Sequence, residues 1–293
     1  MAIEHLRTWK IGQVEITRLV ELWNWEDDIW MCLQDAKPDI VHTQPWLLPH
    51  HATPDGRMFI NFQAFVLKIG DRRIMIDTCV GADRERDFDI FTHMRTSFLN
   101  DLAHVGIQTS DIDTVLCTHL HFDHVGWNTQ LVNGEWVPTF PNARYLFDRK
   151  EYDHWMVLRE TDTSHSYTHL IDAVDPIIKA GLVDFIDASH KICPEVELLA
   201  TPGHTPGHVS VLIHSEGQSA VITGDLMHNP IQLAFPTHPA TFDMDKVAGT
   251  KTRLDFVKRF AETPVLVIGS HFADPSAGYI VPNGDSWKLE HAK

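Results

Sequence analysis

The stretch HLHFDHVG, residues 119–126, places four side chains of metal-binding type within six residues. These side chains are His119, His121, Asp123 and His124. Imidazole nitrogens and carboxylate oxygens are ligands for zinc and similar divalent ions. Burying four such groups without a partner would cost several kcal/mol, so the tight HxHxDH turn predicts metal binding.

Three more metal-type side chains each follow a predicted buried β-run. His204 follows VELLATPG, Asp225 follows SAVITG and His271 follows VLVIGS. In a layered α/β fold, strand ends converge on one edge, where loops build sites. Together with the 119–124 turn, these residues give five His and two Asp that we expect to meet at one point.

Two ions are expected because alternate residues of a tight turn lie on one side. His119 and His121 would then bind one ion, and Asp123 and His124 would reach a second. Two cations close together repel each other, and an anionic bridge offsets the repulsion. Asp225 is the carboxylate expected to form this bridge.

The elements that must position these residues follow from hydrophobic periodicity. The segment 62–81 predicts a hairpin around Gly70 and Asp71, and 208–225 predicts another. Short strands are expected at 115–118, in VELLAT and in VLVIG. Helices are expected from Phe91 to Val105, in KEYDHWMVLRE, in THLIDAVDPIIKAG with a break at Pro176, and from Val247 to Ala261. Hairpins interspersed with helices predict an α/β fold of sheets covered by helices.

Composition and net charge disfavour several classes of function. The chain has 293 residues and a formal net charge of −16, which disfavours nucleic acid as a partner. No apolar run approaches the ~20 residues that cross a bilayer, so no membrane association is expected. The first residues lack the pattern of a signal peptide, and the four scattered Cys predict reduced core thiols. We therefore expect a cytoplasmic protein.

Residues 1–58 include a Trp-rich segment that is predicted to be an irregular N-terminal arm of a single domain spanning residues 1–293. Its aromatic residues are Trp23, Trp25, Trp30 and Trp46. They are expected either to close over the core or to wall a pocket or a homodimer contact. Both interpretations stay open at this point.

The motif THLHFDHVG, followed in order by His204, Asp225 and His271, resembles the metallo-β-lactamase superfamily from about residue 60 onward. The resemblance implies an αβ/βα four-layer sandwich, in which two mixed sheets pack together with helices outside. It also implies that a first metal is bound by His119, His121 and His204. The second metal would be bound by Asp123, His124 and His271, with Asp225 bridging and Asp77 supporting the site from behind.

Within the superfamily, the residues resemble most the N-acyl-homoserine lactonases and the methyl parathion hydrolase-like enzymes. Flavo-diiron reductases usually carry Glu where His121 stands, and true β-lactamases generally lack a bridging Asp225. Glyoxalase II enzymes share all seven ligands but carry a basic C-terminal region. The lactonases carry Tyr where His228 stands here, and the sequence GDLMH is more similar to the methyl parathion hydrolases.

The expected activity is that of a dinuclear hydrolase with two divalent ions, most consistent with Zn²⁺. A bridging hydroxide would attack the carbonyl of a neutral lactone or aryl ester, with Asp225, Asp123 and His228 as catalytic residues. The predicted apolar pocket wall consists of Phe122, Trp127, Trp23 and Trp25. Alternatives are a phosphotriester hydrolase, a glyoxalase II-like thioesterase and a non-catalytic metal-stabilised binding protein.

Overall fold

The computed structural model describes residues 5 to 292 and divides the chain into two compact units. Unit 1 combines Met1–Leu22 with Phe62–Asp187, and unit 2 combines Trp23–Asn61 with Ala188–Lys293. Among the described residues, no helix is both long enough and apolar enough to span a membrane.

The chain forms two seven-stranded sheets, a two-stranded hairpin and seven α-helices among its described residues. The strands are β1 (Arg7–Ile11), β2 (Val14–Asp27), β3 (Met58–Ile69), β4 (Arg72–Ile76), β5 (Thr114–Leu116), β6 (Thr129–Val132), β7 (Glu135–Pro138), β8 (Arg144–Asp148), β9 (Val183–Ile186), β10 (Lys191–Cys193), β11 (Val196–Ala200), β12 (Val209–Ser215), β13 (Gln218–Ile222), β14 (Val265–Ile268), β15 (Ala277–Asn283) and β16 (Ser286–His291). The helices are α1 (Phe98–His104), α2 (Phe122–Val125), α3 (Arg149–Thr161), α4 (Thr168–Ala173), α5 (Asp175–Lys179), α6 (Ile231–Ala234) and α7 (Lys246–Phe260). The predicted α/β class with two mixed sheets is confirmed.

The first sheet has the strand order β1-β2-β3-β4-β5-β8-β9. The predicted hairpin is β3 and β4, which pair antiparallel with Ile69 opposite Arg72 across the Gly70-Asp71 turn. β4, β5, β8 and β9 then run parallel to one another. Parallel strands end at the same edge of a sheet, so the loops after β4 and β5 are neighbours. These loops carry Asp77 and the His-rich turn.

The second sheet has the strand order β10-β11-β12-β13-β14-β15-β16. The predicted second hairpin is β12 and β13, which pair antiparallel. β13 and β14 pair in parallel, with Ile222 opposite Ile268. Their carboxyl ends therefore lie side by side, and Asp225 and His271 follow them within three residues.

The helix predictions are confirmed with one correction. α3 and α7 lie where periodicity places them, and each begins at an N-cap Asp, Asp148 and Asp245, whose side chain accepts a backbone N–H. The expected break at Pro176 separates α4 from α5. The helix predicted from Phe91 is wrong in its first half, because the α-helix begins only at Phe98.

The apolar periodicity of that first half has another origin. Phe91 closes a short 3-10 turn and packs against Phe62 and Phe122, with ring centroids 5.3 and 5.2 Å away. Its burial reflects contact with these two rings and not one face of a helix.

Each unit has its own hydrophobic core. In unit 1, strands β4, β5 and β8 contribute Met75, Val115 and Tyr145 to it. In unit 2, α7 packs Phe256, Val257 and Phe260 against sheet residues such as Leu212 and Val221. All four cysteines are buried, in agreement with the predicted core thiols.

The segment predicted to be an irregular arm begins in regular structure. Trp23 and Trp25 lie on β2, which extends to Asp27. Beyond it, three short 3-10 turns hold residues 29–31, 38–43 and 45–47. The irregular character therefore applies to residues 28–57. That the whole chain is one domain stays a prediction.

Candidate metal centre

The HxHxDH turn of unit 1 follows β5, and its last three residues lie in the single helical turn α2. His119 and His124 are buried, and Nε2 of His119 lies 2.9 Å from Nδ1 of His121. An Asp123 carboxylate oxygen lies 3.6 Å from Nε2 of His124. The turn therefore presents two adjacent pairs of ligand-type atoms, and their assignment to two ions stays a prediction.

Asp77, at the end of β4, holds this turn by its carboxylate. Oδ1 accepts hydrogen bonds from the backbone N–H and the hydroxyl of Thr118, at 2.7 and 3.0 Å. Oδ2 lies 2.9 Å from Nδ1 of His124. The buried Asp77 carboxylate thus fixes both ends of the turn.

These contacts set the proton positions on the rings. Because Nδ1 of His124 faces a carboxylate, it carries the proton, and Nε2 keeps its lone pair. Nδ1 of His119 lies 3.1 Å from the hydroxyl oxygen of Thr118, whose own proton points to Asp77. The Nε2 atom of His119 is therefore also an acceptor. Both rings are oriented as metal ligands are.

Glu151 and Gly126 also shape the turn, and Glu151 was not predicted from the sequence. Buried Glu151 accepts hydrogen bonds from the Leu120 N–H at 3.1 Å and the Trp155 indole N–H at 2.7 Å. Trp155 packs edge-on against His121. Gly126, the last residue of the motif, lies where an added Cβ would stand 2.0 Å from the Val80 carbonyl oxygen. Only glycine permits this approach.

Asp225 is the centre of the polar set of unit 2. Its carboxylate lies 3.5 Å from Nε2 of His204, 3.2 Å from Nε2 of His271 and 3.2 Å from Nε2 of His228. All four side chains are buried. A carboxylate with both oxygens facing imidazole nitrogens has the geometry that a bridging ligand needs.

His208, a residue that sequence reasoning missed, positions Asp225. Its Nε2 accepts the backbone N–H of Asp225 at 2.8 Å, and its Nδ1 lies 3.0 Å from the Thr201 carbonyl oxygen. The ring is therefore neutral, with the proton on Nδ1. Gly224 permits this contact, because its φ is +57° and an added Cβ would stand 2.5 Å from Nε2. His208 is the second His of the sequence PGHTPGH, and this repeated His was the sequence signal that could have identified it.

A second buried network, also missed, stands behind His204. Asp243 lies 3.7 Å from Nδ1 of His204, and it pairs with the fully buried Arg253 at 2.9 Å. Arg253 also donates to the Leu226 carbonyl at 3.0 Å. Burial alone would raise the pKa of Asp243, but the contact with His204 and the charge of Arg253 outweigh it and lower that pKa. Asp243 therefore stays ionised beside His204.

His271 is oriented by the backbone of β3. Its Nδ1 donates to the Asn61 carbonyl at 2.7 Å, and the Asn61 N–H donates to the His271 carbonyl at 2.9 Å. Nε2 is therefore the acceptor nitrogen that faces Asp225. His228 stacks on His271 with ring centroids 5.5 Å apart, and burial lowers the pKa of His228. His228 therefore lies against the predicted ligands of unit 2.

The predicted pocket wall needs one correction. Trp127 is a core residue of unit 1: it stacks on Phe98 at 5.7 Å, and its indole N–H donates to Glu21 at 2.6 Å. It follows the motif so closely that its position suggested a wall, but the chain turns inward at Gly126. Phe122 is half-buried against Phe91.

The two other wall residues lie in unit 2. Trp23 is 46% exposed and Trp25 is half-buried, and both lie on β2. A role in substrate binding stays a prediction for Phe122, Trp23 and Trp25.

Comparison with known proteins identifies the family. The model of the metallo-beta-lactamase superfamily matches residues 63–271, so the chain belongs to this superfamily, as the motif predicted. An N-acyl homoserine lactonase from a Bacillus species is 30% identical over 172 residues, which cover 58% of this chain and 60% of that protein. The chain thus matches less than two thirds of the length of such relatives.

Solved structures share the fold. A hydrolase of the β-lactamase superfamily, AbOPH, has a TM-score of 0.81 and 25% identity, with both chains covered completely. The dizinc quorum-quenching lactonase AidC, solved with a product, has a TM-score of 0.76 and 21% identity over 98% of this chain and 97% of that one. The metallo-β-lactamase fold of this chain is therefore confirmed, and lactonases stand among its relatives, as predicted.

Proposed function

We propose that this chain is a dinuclear metal-dependent hydrolase that opens neutral lactones or cleaves aryl esters. The seven predicted ligands would bind two divalent ions, with His119, His121 and His204 on one and Asp123, His124 and His271 on the other. Asp225 would bridge them. Zinc is the proposed metal because imidazole and carboxylate ligands suit it and because the related AidC is a dizinc lactonase.

The protonation of the ligand rings supports this proposal most directly. His124 and His271 each donate through Nδ1 to an oxygen acceptor, Asp77 and the Asn61 carbonyl, so each leaves Nε2 with a lone pair. Any buried imidazole must satisfy its N–H, but in these two rings Nε2 also faces a carboxylate of the predicted ligand set, Asp123 or Asp225. A partner that fixes the ligand tautomer is characteristic of metal sites and raises ligand basicity. The donor set therefore fits the ions.

The chemistry divides between the ions and the chain. When bound, the divalent ions would lower the pKa of a water molecule towards ~7, which supplies hydroxide at neutral pH, and would polarise the electrophile. Asp225 would hold its two oxygens in place through the His208 contact to its backbone N–H. His228, whose Nε2 lies 3.2 Å from Asp225, would donate a hydrogen bond to the oxyanion of the transition state.

The substrate class rests on charge and on apolar surface. A net charge of −16 favours an uncharged substrate over a polyanion or glutathione. Half-buried Phe122, next to the ligands and packed on Phe91, offers an apolar surface beside them. The lactonase relatives place lactones first. Aryl phosphotriesters are the second candidate, because His228 stands where those lactonases carry Tyr.

Two measurements test the proposal on one preparation. Elemental analysis of protein purified without chelator should give at least two divalent ions per chain, and a content well below one would refute the dinuclear site. The kcat/KM should then be compared for a medium-chain lactone, an aryl acetate, an aryl phosphotriester, a cephalosporin and a glutathione thioester.

The lactone or the aryl ester should be the best substrate in that panel. A cephalosporin or thioester that exceeded both by tenfold, about 1.4 kcal/mol in transition-state stabilisation, would overturn the substrate class. No turnover of any member by metal-replete protein would instead favour a metal-stabilised binding protein.

A further inference from the structure

Three histidines of unit 2 form a cluster that the proposed hydrolase site does not use. They are His50, His51 and His291. The ring centroid of His291 lies 5.1 Å from that of His50 and 5.2 Å from that of His51. Nε2 of His51 lies 3.0 Å from Nε2 of His291, although 240 residues separate them in the chain. From these rings we infer a further transition-metal site, with zinc as its proposed ion.

The backbones of two members are fixed, so this juxtaposition belongs to the fold. The His51 N–H donates to the Leu47 carbonyl at 2.7 Å, and the His51 carbonyl accepts from Asn229 Nδ2 at 2.9 Å. His291 is the last residue of β16 and pairs with Gly278 of β15. Ordering these backbones therefore costs nothing further when an ion binds.

The ring nitrogens stand close to the separation that zinc requires. Two nitrogens at about 2.0–2.1 Å from a tetrahedral ion lie roughly 3.3 Å apart, so the 3.0 Å pair needs a shift of only a few tenths of an ångström. His50 is exposed, and rotation about its side-chain bonds can turn a ring nitrogen toward the pair. Three imidazoles and one water complete four-coordinate zinc.

The environment keeps the rings in the form that binds metal. His51 is fully buried, and its Nδ1 has no hydrogen-bond partner. Burial, followed by the neighbouring rings of His291 and His50, lowers the pKa of His51 to about 3. Burial and His50 also lower the pKa of His291. Neutral imidazole is the ligand form, so no proton has to leave these two rings at neutral pH.

A plain hydrogen bond is the competing explanation for the short contact, since one ring can donate and the other accept. His291→Gln separates the two explanations. Its amide N–H₂ can still donate to His51, whereas a neutral amide is a poor zinc ligand. His50→Ala is the second test variant, because it removes an exposed ring without creating a cavity.

The experiment is equilibrium dialysis of the full chain against a Zn²⁺ series, followed by elemental analysis. Wild type should bind one more ion per chain than either variant, His50→Ala or His291→Gln. If a variant still binds this ion, wild type should bind it at least tenfold more tightly. His104→Ala, which removes an exposed His from the end of α1, is the matched control and should bind as wild type does.

Equal zinc binding by wild type and His291→Gln throughout the series would overturn the inference. Loss in His291→Gln but not in His50→Ala would overturn the three-histidine assignment. All these chains keep the seven ligands of the proposed hydrolase site. The difference of one ion is therefore read independently of whether that site binds metal, and hydrolase activity should be equal in wild type and His50→Ala.

Discussion

Asp77→Asn should weaken metal binding through the proton position on His124 alone. The substitution keeps the shape of the side chain. The Thr118 N–H, 2.7 Å from Oδ1, requires an acceptor there, so the new amide oxygen takes the Oδ1 position. The amide nitrogen then faces Nδ1 of His124 at the place of Oδ2, 2.9 Å away. An amide N–H₂ group donates and cannot accept a hydrogen bond, so Nδ1 of His124 becomes the acceptor and Nε2 carries the proton.

The magnitude follows from the loss of one ligand lone pair. His124 can bind an ion through Nε2 only after a tautomer change that leaves Nδ1 and the amide N–H₂ mismatched in a buried site. Loss of the partner that orients a metal-ligating His typically costs 10–100-fold in affinity, or about 1.4–2.7 kcal/mol. Thr118 keeps its acceptor, so the folded state should lose little stability beyond the ion's own contribution.

The assay counts ions per chain after dialysis against graded chelator, for wild type, Asp77→Asn and Asp101→Asn. Asp101 is a carboxylate of α1 that binds the Ser97 hydroxyl at the surface of unit 1, and it serves as the control. We expect Asp77→Asn to lose one ion at 10–100-fold lower chelator strength. Retention of both ions at wild-type affinity in a folded Asp77→Asn protein would refute the tautomer argument.

Three further outcomes are expected. Asp225→Ala should reduce kcat/KM more than His228→Ala does. The His228→Ala variant should lose about 2.7–4 kcal/mol of transition-state stabilisation. Equal activity of Asp225→Ala and wild type would contradict the bridging role of Asp225. Gly126→Ala should unfold at lower denaturant than wild type because its Cβ meets the Val80 carbonyl, and an unchanged midpoint would contradict that close approach. With chelator present, His51 lowers stability as pH falls, because its folded pKa of about 3 lies below the unfolded value of 6.5 and the unfolded chain binds the proton first. Between pH 7 and pH 5 wild type should lose about 2 kcal/mol more than His51→Phe in denaturant melts, and parallel losses would refute the assignment.

The local elements that carry the site were predictable from the sequence because each has a strong short-range signal. The β3–β4 hairpin follows from alternation around Gly70-Asp71, and α7 follows from apolar spacing. The break before α5 follows from Pro176, whose ring cannot continue a helix. The false extension of α1 back to Phe91 arose because Phe91 is buried by Phe62 and Phe122, and periodicity does not distinguish that burial from a helical face.

Most residues that orient the site could not be predicted from the sequence. His208 lies seventeen positions before Asp225, and its contact to the Asp225 backbone exists only after β12 and β13 pair. Arg253 and Asp243 are charged residues that composition alone assigns to solvent, yet both side chains are fully buried as a pair. Trp127 follows the motif directly, but Gly126 packs closely against Val80, and the Trp127 side chain therefore lies in the core.

The sequence by itself determined the superfamily, the seven candidate ligands and the strand ends that carry them, because ligand type and spacing are properties of short sequence motifs. The tertiary structure decided which nitrogen of each ring holds a proton. His124 and His271 have the same side chain, yet a carboxylate fixes one and a β3 carbonyl fixes the other. Those partners lie 47 and 210 residues away, and no local pattern encodes contacts that form only when strands align.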